Sequence, residues 1–388
     1  MPRFLIKLTI FSLPILIFVG YVLYSGLILP VDYFTFRAWE ALSVYEKTPT
    51  LSGPFYPSMH LVKKELGDLS GLTKLPVAKN VEWFTDQYGY RRKKSNTERF
   101  DVVIIGDSST VGSSLTQEDI FSEVLGSKTG LSVYPYAPSN FNKFLEEKRF
   151  RDNPPDIVIV ESVEKLVLGL SEIIPKDQKK VAKRRLDELS LENIIGILGF
   201  RGKLVTSLPA MRDRLKKEVF INYLRARLAE IPKYIREPGF RVRRPGKVEV
   251  ENVGKGVRSE MVFYSEPEEY FKDWKESDIK RVIFTLNQYK EKLSETNTKL
   301  VFMPIPNKEN IYWRQVKGGK AISNLKRLID AAESAGISTV DLWTVYNNLY
   351  NQNPDKLFYH TDDTHWNAYG VEIAARETVR KLKEIENH

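Results

Sequence analysis

A chain of 388 residues that is 42% hydrophobic can bury one large core and carry an insertion besides, so general disorder is excluded as its state. It has no cysteine, which rules out disulfides, thiolate nucleophiles, Cys-ligated zinc and lipoprotein-type acylation. The formal charge of +9 is concentrated in residues 176–247, with 20 Lys and Arg against 8 Asp and Glu; no nucleic-acid motif accompanies it, leaving anionic lipid, an acidic glycan, a partner protein or simple solvation of amphipathic helices.

After Arg3 and Lys7 no charge appears until Asp32. The run LTIFSLPILIFVGYVLYSGLIL supplies about 20 apolar residues, enough for the roughly 30 Å of a bilayer core. It is apolar on all sides, unlike a surface helix. Basic residues before the run and an acid after it place residues from 32 onward outside the cytoplasm. The run exceeds the apolar core of a cleavable signal and has no clear A-x-A site, so residues 1–31 are expected to form an uncleaved transmembrane anchor. Residues 32–98 follow as an N-terminal extension.

From Asp101 strands and helices alternate. DVVIIG (101–106), short, β-branched and stopped by glycine, predicts a buried strand. TQEDIFSEVLGSKTG predicts a helix with Thr116 as N-cap, acids in the first turn and Gly130 at its close. LSVYPY predicts a second strand, followed by a helix around 140–150 and the Pro154-Pro155 breaker. DIVIVE (156–161) predicts the third strand. Beyond the basic segment come a helix over 277–295, strand KLVFMPIP (299–306), a helix over 320–335, strand ISTVDL (337–342) and a last helix from about Asn367. The alternation predicts an open α/β domain with a parallel sheet. Its two parts cover 99–165 and 275–388, separated by a mostly helical insertion over 166–274 that is broken by Pro209, Pro232, Pro238 and Pro245.

The stretch IIGDSSTVG (104–112) ends a strand in Gly106-Asp107-Ser108 and passes into a turn and helix. Side chains at the C-terminal edge of a parallel sheet face a crevice, and N–H groups at a helix start can stabilise an oxyanion. Ser108 is the candidate nucleophile, with its own N–H as one donor; Asp107, Ser108 or Ser109 could instead merely cap the helix. The stretch is neither a P-loop nor a dinucleotide fingerprint.

A serine needs a base, and the chain has four histidines. His388 is terminal and His60 precedes the α/β region. Of His360 and His365, the second has Asp363 and Asp362 two and three residues upstream, so a short loop can join acid and imidazole. HTDDTH also offers ligands suited to zinc or iron, but no second histidine–acid cluster supports a metal and Ser108 would then have no role. Trp366, Tyr359, Tyr312 and Trp313 read either as a sugar-stacking surface or as core.

An early GDSS block paired with a late DDTHWNAYG block resembles the SGNH, or GDSL-like, hydrolase superfamily. DTHW narrows the likeness to the alginate O-acetyltransferase-related branch with its Asp-x-His-Trp signature, and GPFYPSMH, GDLSG, NVEWFTDQYGYR and PIPNKENIYW are similar to stretches of that branch. The resemblance implies a flavodoxin-like three-layer sandwich around the parallel sheet. It also implies a single-pass inner-membrane protein whose catalytic domain lies in the periplasm or otherwise outside the cytoplasm.

Three departures stand out. In the alginate proteins the Asp-His-Trp block precedes the serine, whereas here it follows. The Gly-x-Asn-Asp block expected after the third strand is VESVEKL, which leaves Asn140 or Ser139 as substitute oxyanion donors. SGNH spacing selects Asp362 as the acid and Asp-x-His-Trp spacing selects Asp363, which we prefer. The site expected from the resemblance is therefore Ser108, His365 and Asp363 or Asp362, with Gly106, Asp107, Asn140 and Trp366 around the oxyanion and substrate.

The implied activity is polysaccharide O-acetylation through an acetyl-serine, without a cofactor, the acetyl group coming from a membrane-bound O-acyltransferase. The alternatives are a carbohydrate esterase using the same site and a non-catalytic subunit of a polysaccharide export complex.

Overall fold

The computed structural model describes residues 2–23, 37–44, 53–69, 77–93, 97, 99–173, 261–263, 267–316 and 318–386. Most of the expected basic insertion, residues 174–260, lies outside the described residues.

Seven strands are described: β1 (His60–Glu65), β2 (Lys79–Phe84), β3 (Val102–Ile105), β4 (Val133–Tyr136), β5 (Ile157–Val163), β6 (Lys299–Ile305) and β7 (Ser338–Thr339). β3 to β7 form one parallel sheet in the order β4-β3-β5-β6-β7. Counted from β3, this is the 2-1-3-4-5 order of flavodoxin-like sheets, in which ligands sit outside the strand ends where the order reverses.

The alternation of side chains along each strand divides the core into two layers. Val102, Ile104, Ile157, Ile159, Val301 and Met303 face one way, against helices Phe121–Thr129, Leu342–Gln352 and Ala368–Glu386. Val103, Ile105, Val158, Val160, Leu300 and Phe302 face the other, against Phe141–Glu146, Glu276–Ser294 and Asn324–Ser334. Both faces are covered, which is why these strands read as continuous apolar runs.

Several expected elements differ. Thr116 caps nothing, because its hydroxyl accepts the Glu82 N–H; a 3₁₀ turn over Gln117–Asp119 precedes the helix, which Gly130 closes at φ 74°. The helix expected over 140–150 is two, Phe141–Glu146 and Lys148–Asp152, separated at Glu147. β7 has two residues because Asp341 caps a new helix, its carboxylate accepting the Thr344 N–H at 2.8 Å.

In the extension, β1 and β2 pair antiparallel. Their Leu61, Val81 and Trp83 pack with Val111 and Ala137 of the α/β domain. A 22-residue helix, Pro2–Leu23, occupies the N-terminal apolar run. Among the described residues no helix is long and apolar enough to cross a membrane, so the anchor expected at 1–31 is not established by this structure.

Candidate active site

Ser108 is the first residue of a four-residue helix, Ser108–Val111, that leaves the C-terminal end of β3. Asp107 fixes this turn. One of its carboxylate oxygens accepts the Ser109 N–H at 2.7 Å and the other accepts the Val163 N–H at 3.1 Å, tying the Ser108 turn to the end of β5. Asp107 is thus a cap and a tether. Gly106 leaves no room for a side chain: an added Cβ would lie inside contact distance of Glu161 Oε2 and Thr110 Oγ1. Its carbonyl accepts the Ser139 N–H at 3.0 Å.

The histidine arrives from the other end of the chain. His360 donates its N–H to the His365 carbonyl at 3.2 Å, and Tyr359 bridges Trp366, so residues 359–366 close a short loop just before helix Ala368–Glu386. His365 Nε2 lies 2.8 Å from Ser108 Oγ, and Nδ1 lies 2.5 Å from Asp363 Oδ1, which also accepts the His365 N–H at 2.9 Å. The other oxygen of Asp363 accepts the Ser114 hydroxyl at 2.6 Å and the Asp68 N–H at 2.8 Å.

Burial alone would raise the Asp363 carboxyl and lower the His365 imidazole. Their mutual attraction and hydrogen bond outweigh it, holding Asp363 well below the usual carboxylate range and His365 above its ordinary value. Such an imidazole, with one nitrogen on the acid and the other on the serine, is arranged to take the serine proton.

Asp362, the other candidate acid, points away from His365. Its side chain pairs with Lys79 Nζ at 2.6 Å and accepts the N–H groups of Gly67 and Val77 at 3.0 and 2.9 Å. The tandem carboxylates therefore divide: Asp363 serves the histidine and Asp362 holds the extension.

Asn140 is exposed, and its side-chain oxygen accepts the Lys143 N–H at 3.0 Å, capping a helix rather than offering an oxyanion donor. Trp366 is buried, with its indole N–H donated to the Ser109 carbonyl at 3.2 Å. Tyr312 and Tyr359 are buried too, and Trp313 packs at the edge of the same core. The buried rings of Tyr312, Tyr359 and Trp366 are core, whereas Trp313 is half-buried with the Arg314 guanidinium over its ring. For a metal, Asp68, Asp363 and His365 bring ligand-type atoms within 4.8 Å of one another, while His360 stays outside that group. Of these, His365 Nδ1 and Asp363 Oδ1 are already engaged with each other.

Residues 262–387 match the family model for the SGNH hydrolase-like domain of acetyltransferase AlgX. No curated protein matches the chain. The AlgX-type segment contains Asp363 and His365, whereas Ser108 lies outside it and reaches it through the fold.

Three contributors had no role in the sequence reading. Lys308, just after β6, donates from Nζ to the carbonyls of Val262, Thr361 and Asp363 at 2.8, 3.0 and 3.0 Å and so anchors the histidine loop. Glu161 belongs to the VESVEKL stretch that stands in place of the expected Gly-x-Asn-Asp block; its Oε2 accepts the Thr110 hydroxyl at 2.6 Å and the Asp107 N–H at 3.1 Å, and burial, with the neighbouring charge of Asp107, pushes its carboxyl well above the usual range. Asp68 comes from the extension. The motifs PIPNKENIYW and GDLSG, similar to the family, were the available signals for Lys308 and Asp68, and nothing local assigned either a task.

Proposed function

We propose that the protein is an O-acetyltransferase that forms an acetyl-ester on Ser108 and passes the acetyl group to a hydroxyl of a polysaccharide outside the cytoplasm. The observation that carries this reading is the unbroken hydrogen-bonded series Ser108, His365, Asp363, supported by the match to an acetyltransferase family.

In the first half-reaction, His365 Nε2 accepts the Ser108 hydroxyl proton as Oγ attacks the donor's acetyl carbon. The tetrahedral adduct collapses, the donor's leaving group takes the proton from His365, and acetyl-Ser108 remains. In the second, a sugar hydroxyl gives its proton to His365 and attacks the acetyl carbon, and Ser108 leaves with that proton. Asp363 stabilises the imidazolium in both. We assign the Ser108 N–H to the developing oxyanion, since the first N–H of a helix has no intrahelical acceptor.

The acetyl donor we assign is a membrane-bound O-acyltransferase. We place the chain at the inner membrane, its site on the periplasmic or outer side. Exposed side chains along Pro2–Leu23, among them Phe11 at 77% and Ile10, Ile15 and Leu16 at 64%, favour a lipid-facing helix.

Ser108 is only partly buried, which keeps water in play as a competing acceptor and favours esterase activity as the second reading. Labelling the full chain with a sulfonyl fluoride or with p-nitrophenyl acetate, followed by mass spectrometry, tests the nucleophile: equal labelling of wild type and Ser108→Ala would end both readings. Comparing acetate release from acetylated polymer with acetyl gain by deacetylated polymer separates transferase from esterase.

A further inference from the structure

We infer that Asp68, supplied by the N-terminal extension, is a positioning residue of this site: a second carboxylate that faces His365 Nδ1 and locks the loop carrying it. The inference rests on the acyl-transfer reading above and adds to it a residue outside the AlgX-type segment.

Three consecutive backbone N–H groups of the extension grip the tandem acids. Gly67 donates to Asp362 Oδ2 at 3.0 Å, Asp68 to Asp363 Oδ2 at 2.8 Å and Leu69 to the Asp362 carbonyl at 3.2 Å. The approach is close enough that a Cβ at position 67 would collide with the Asp362 backbone. The Asp68 side chain then turns onto the loop, accepting the Thr364 N–H at 2.8 Å and the Thr364 hydroxyl at 2.7 Å, and its Oδ2 lies 3.9 Å from His365 Nδ1.

The tautomer of His365 is already set by Asp363, so a second acid is not needed for that. It carries a cost as well: burial and the charge of Asp363 both push the Asp68 carboxyl up. What offsets this cost is a positive charge between the two carboxylates, and one forms each time His365 takes a proton from Ser108 or from an acceptor hydroxyl. The charged and titratable groups facing His365 are Asp363 and His360 from its own loop, Asp68 from the extension and Arg37 ahead of helix Ala38–Leu42. Lys79 and Lys308 act on Asp363, and Lys308 also on Asp68.

The test is the pH–rate profile of the full chain with p-nitrophenyl acetate, for wild type, Asp68→Asn and Ser108→Ala. Asparagine keeps one acceptor oxygen for the Thr364 N–H and the backbone N–H to Asp363; its NH2 replaces the second oxygen and can donate to the Thr364 hydroxyl, so the charge is removed while the loop keeps two contacts. Without that charge the imidazole holds its proton less firmly. The acid limb should move to lower pH by about one unit, and the plateau should fall by about tenfold because the imidazolium is less stabilised.

A limb that does not move, with a plateau within about twofold of wild type, overturns the inference while an inactive Ser108→Ala leaves the acyl-transfer reading standing. Full activity in Ser108→Ala defeats the reading itself. Should Asp68→Asn fail to fold, Thr364→Val keeps both carboxylates and frees Asp68 Oδ2 to turn toward Nδ1. The limb should then rise, and an unmoved limb again overturns the inference.

Discussion

Replacing Lys308 with methionine isolates what holds the histidine loop. The residue is buried and its Nζ serves the carbonyls of Val262, Thr361 and Asp363. Methionine keeps most of the apolar stem and strands the three acceptors. Each stranded acceptor costs about 1 to 3 kcal/mol, so the loss is on the order of 3 kcal/mol or more.

Against this, the variant no longer buries an ammonium. Burial pushes the amine down from 10.5 to about 8, a penalty on the charged form of about 3 kcal/mol. The two effects nearly cancel at pH 7, and Lys308→Met should change stability little there. They separate at higher pH. The unfolded chain keeps the proton up to the ordinary value and the fold only up to about 8, so between these the unfolded state binds more protons and wild type gains stability as pH rises. The neutral amine still donates two hydrogen bonds.

Urea unfolding of both proteins at pH 7 and pH 10 should therefore show wild type gaining about 2 to 3 kcal/mol on the variant, since groups common to both cancel. A stability difference that is the same at both pH values would refute the buried, proton-poor lysine.

Asp362→Ala strips Lys79 of its buried partner and two N–H groups of their acceptor; a loss of about 3 to 5 kcal/mol in urea unfolding is expected, with turnover per folded molecule reduced far less than in Asp363→Ala. Trp366→Phe leaves the buried Ser109 carbonyl without its indole donor and should cost about 1 to 3 kcal/mol by thermal melting, while KM for p-nitrophenyl acetate stays unchanged. Glu161→Gln should stay within about 1 kcal/mol of wild type at pH 7, because the carboxyl it replaces is pushed toward its neutral form. Glu161→Ala, which strands the Asp107 N–H and the Thr110 hydroxyl, should lose about 2 to 4 kcal/mol in the same urea experiment.

The strands were legible where burial is written locally. Val102 to Ile105 and Ile157 to Val160 are buried on both faces, and that leaves a continuous β-branched run. Helix Leu342–Gln352 was missed because its apolar stripe, Leu342, Val345, Tyr346 and Leu349, is interleaved with asparagines and follows directly on a strand signal. The contact of Ser108 with His365 and of His365 with Asp363 was legible because a serine, a histidine and an acid in those settings form a familiar hydrogen-bonded series. Asn140 and Trp366 were misplaced for the opposite reason: an amide and an indole have structural uses, a helix cap and a buried N–H donor, that spacing does not distinguish from catalytic ones. The role of Asp68 could not be read at all, since its partners lie 295 and 296 positions away and such contacts leave no periodicity in the chain.

The division of labour between Asp362 and Asp363 follows from how a buried carboxylate stays charged. A carboxylate offers about four acceptor sites, and desolvation penalises its charge unless those sites are filled. Asp363 fills them from three separate parts of the chain: two donors on His365, the Ser114 hydroxyl beyond the nucleophile helix and the Asp68 N–H of the extension. Asp362 is satisfied by Lys79, Gly67 and Val77, all in the extension, and has none of the contacts that would let it serve the histidine. His365 is the main group that holds Asp363 ionised against burial, and residues 68 and 114 fill the acceptor sites that remain. The matching segment 262–387 thus contains Asp363 and His365, while two of the four donors to the Asp363 carboxylate, the Asp68 N–H and the Ser114 hydroxyl, come from parts of the chain outside it.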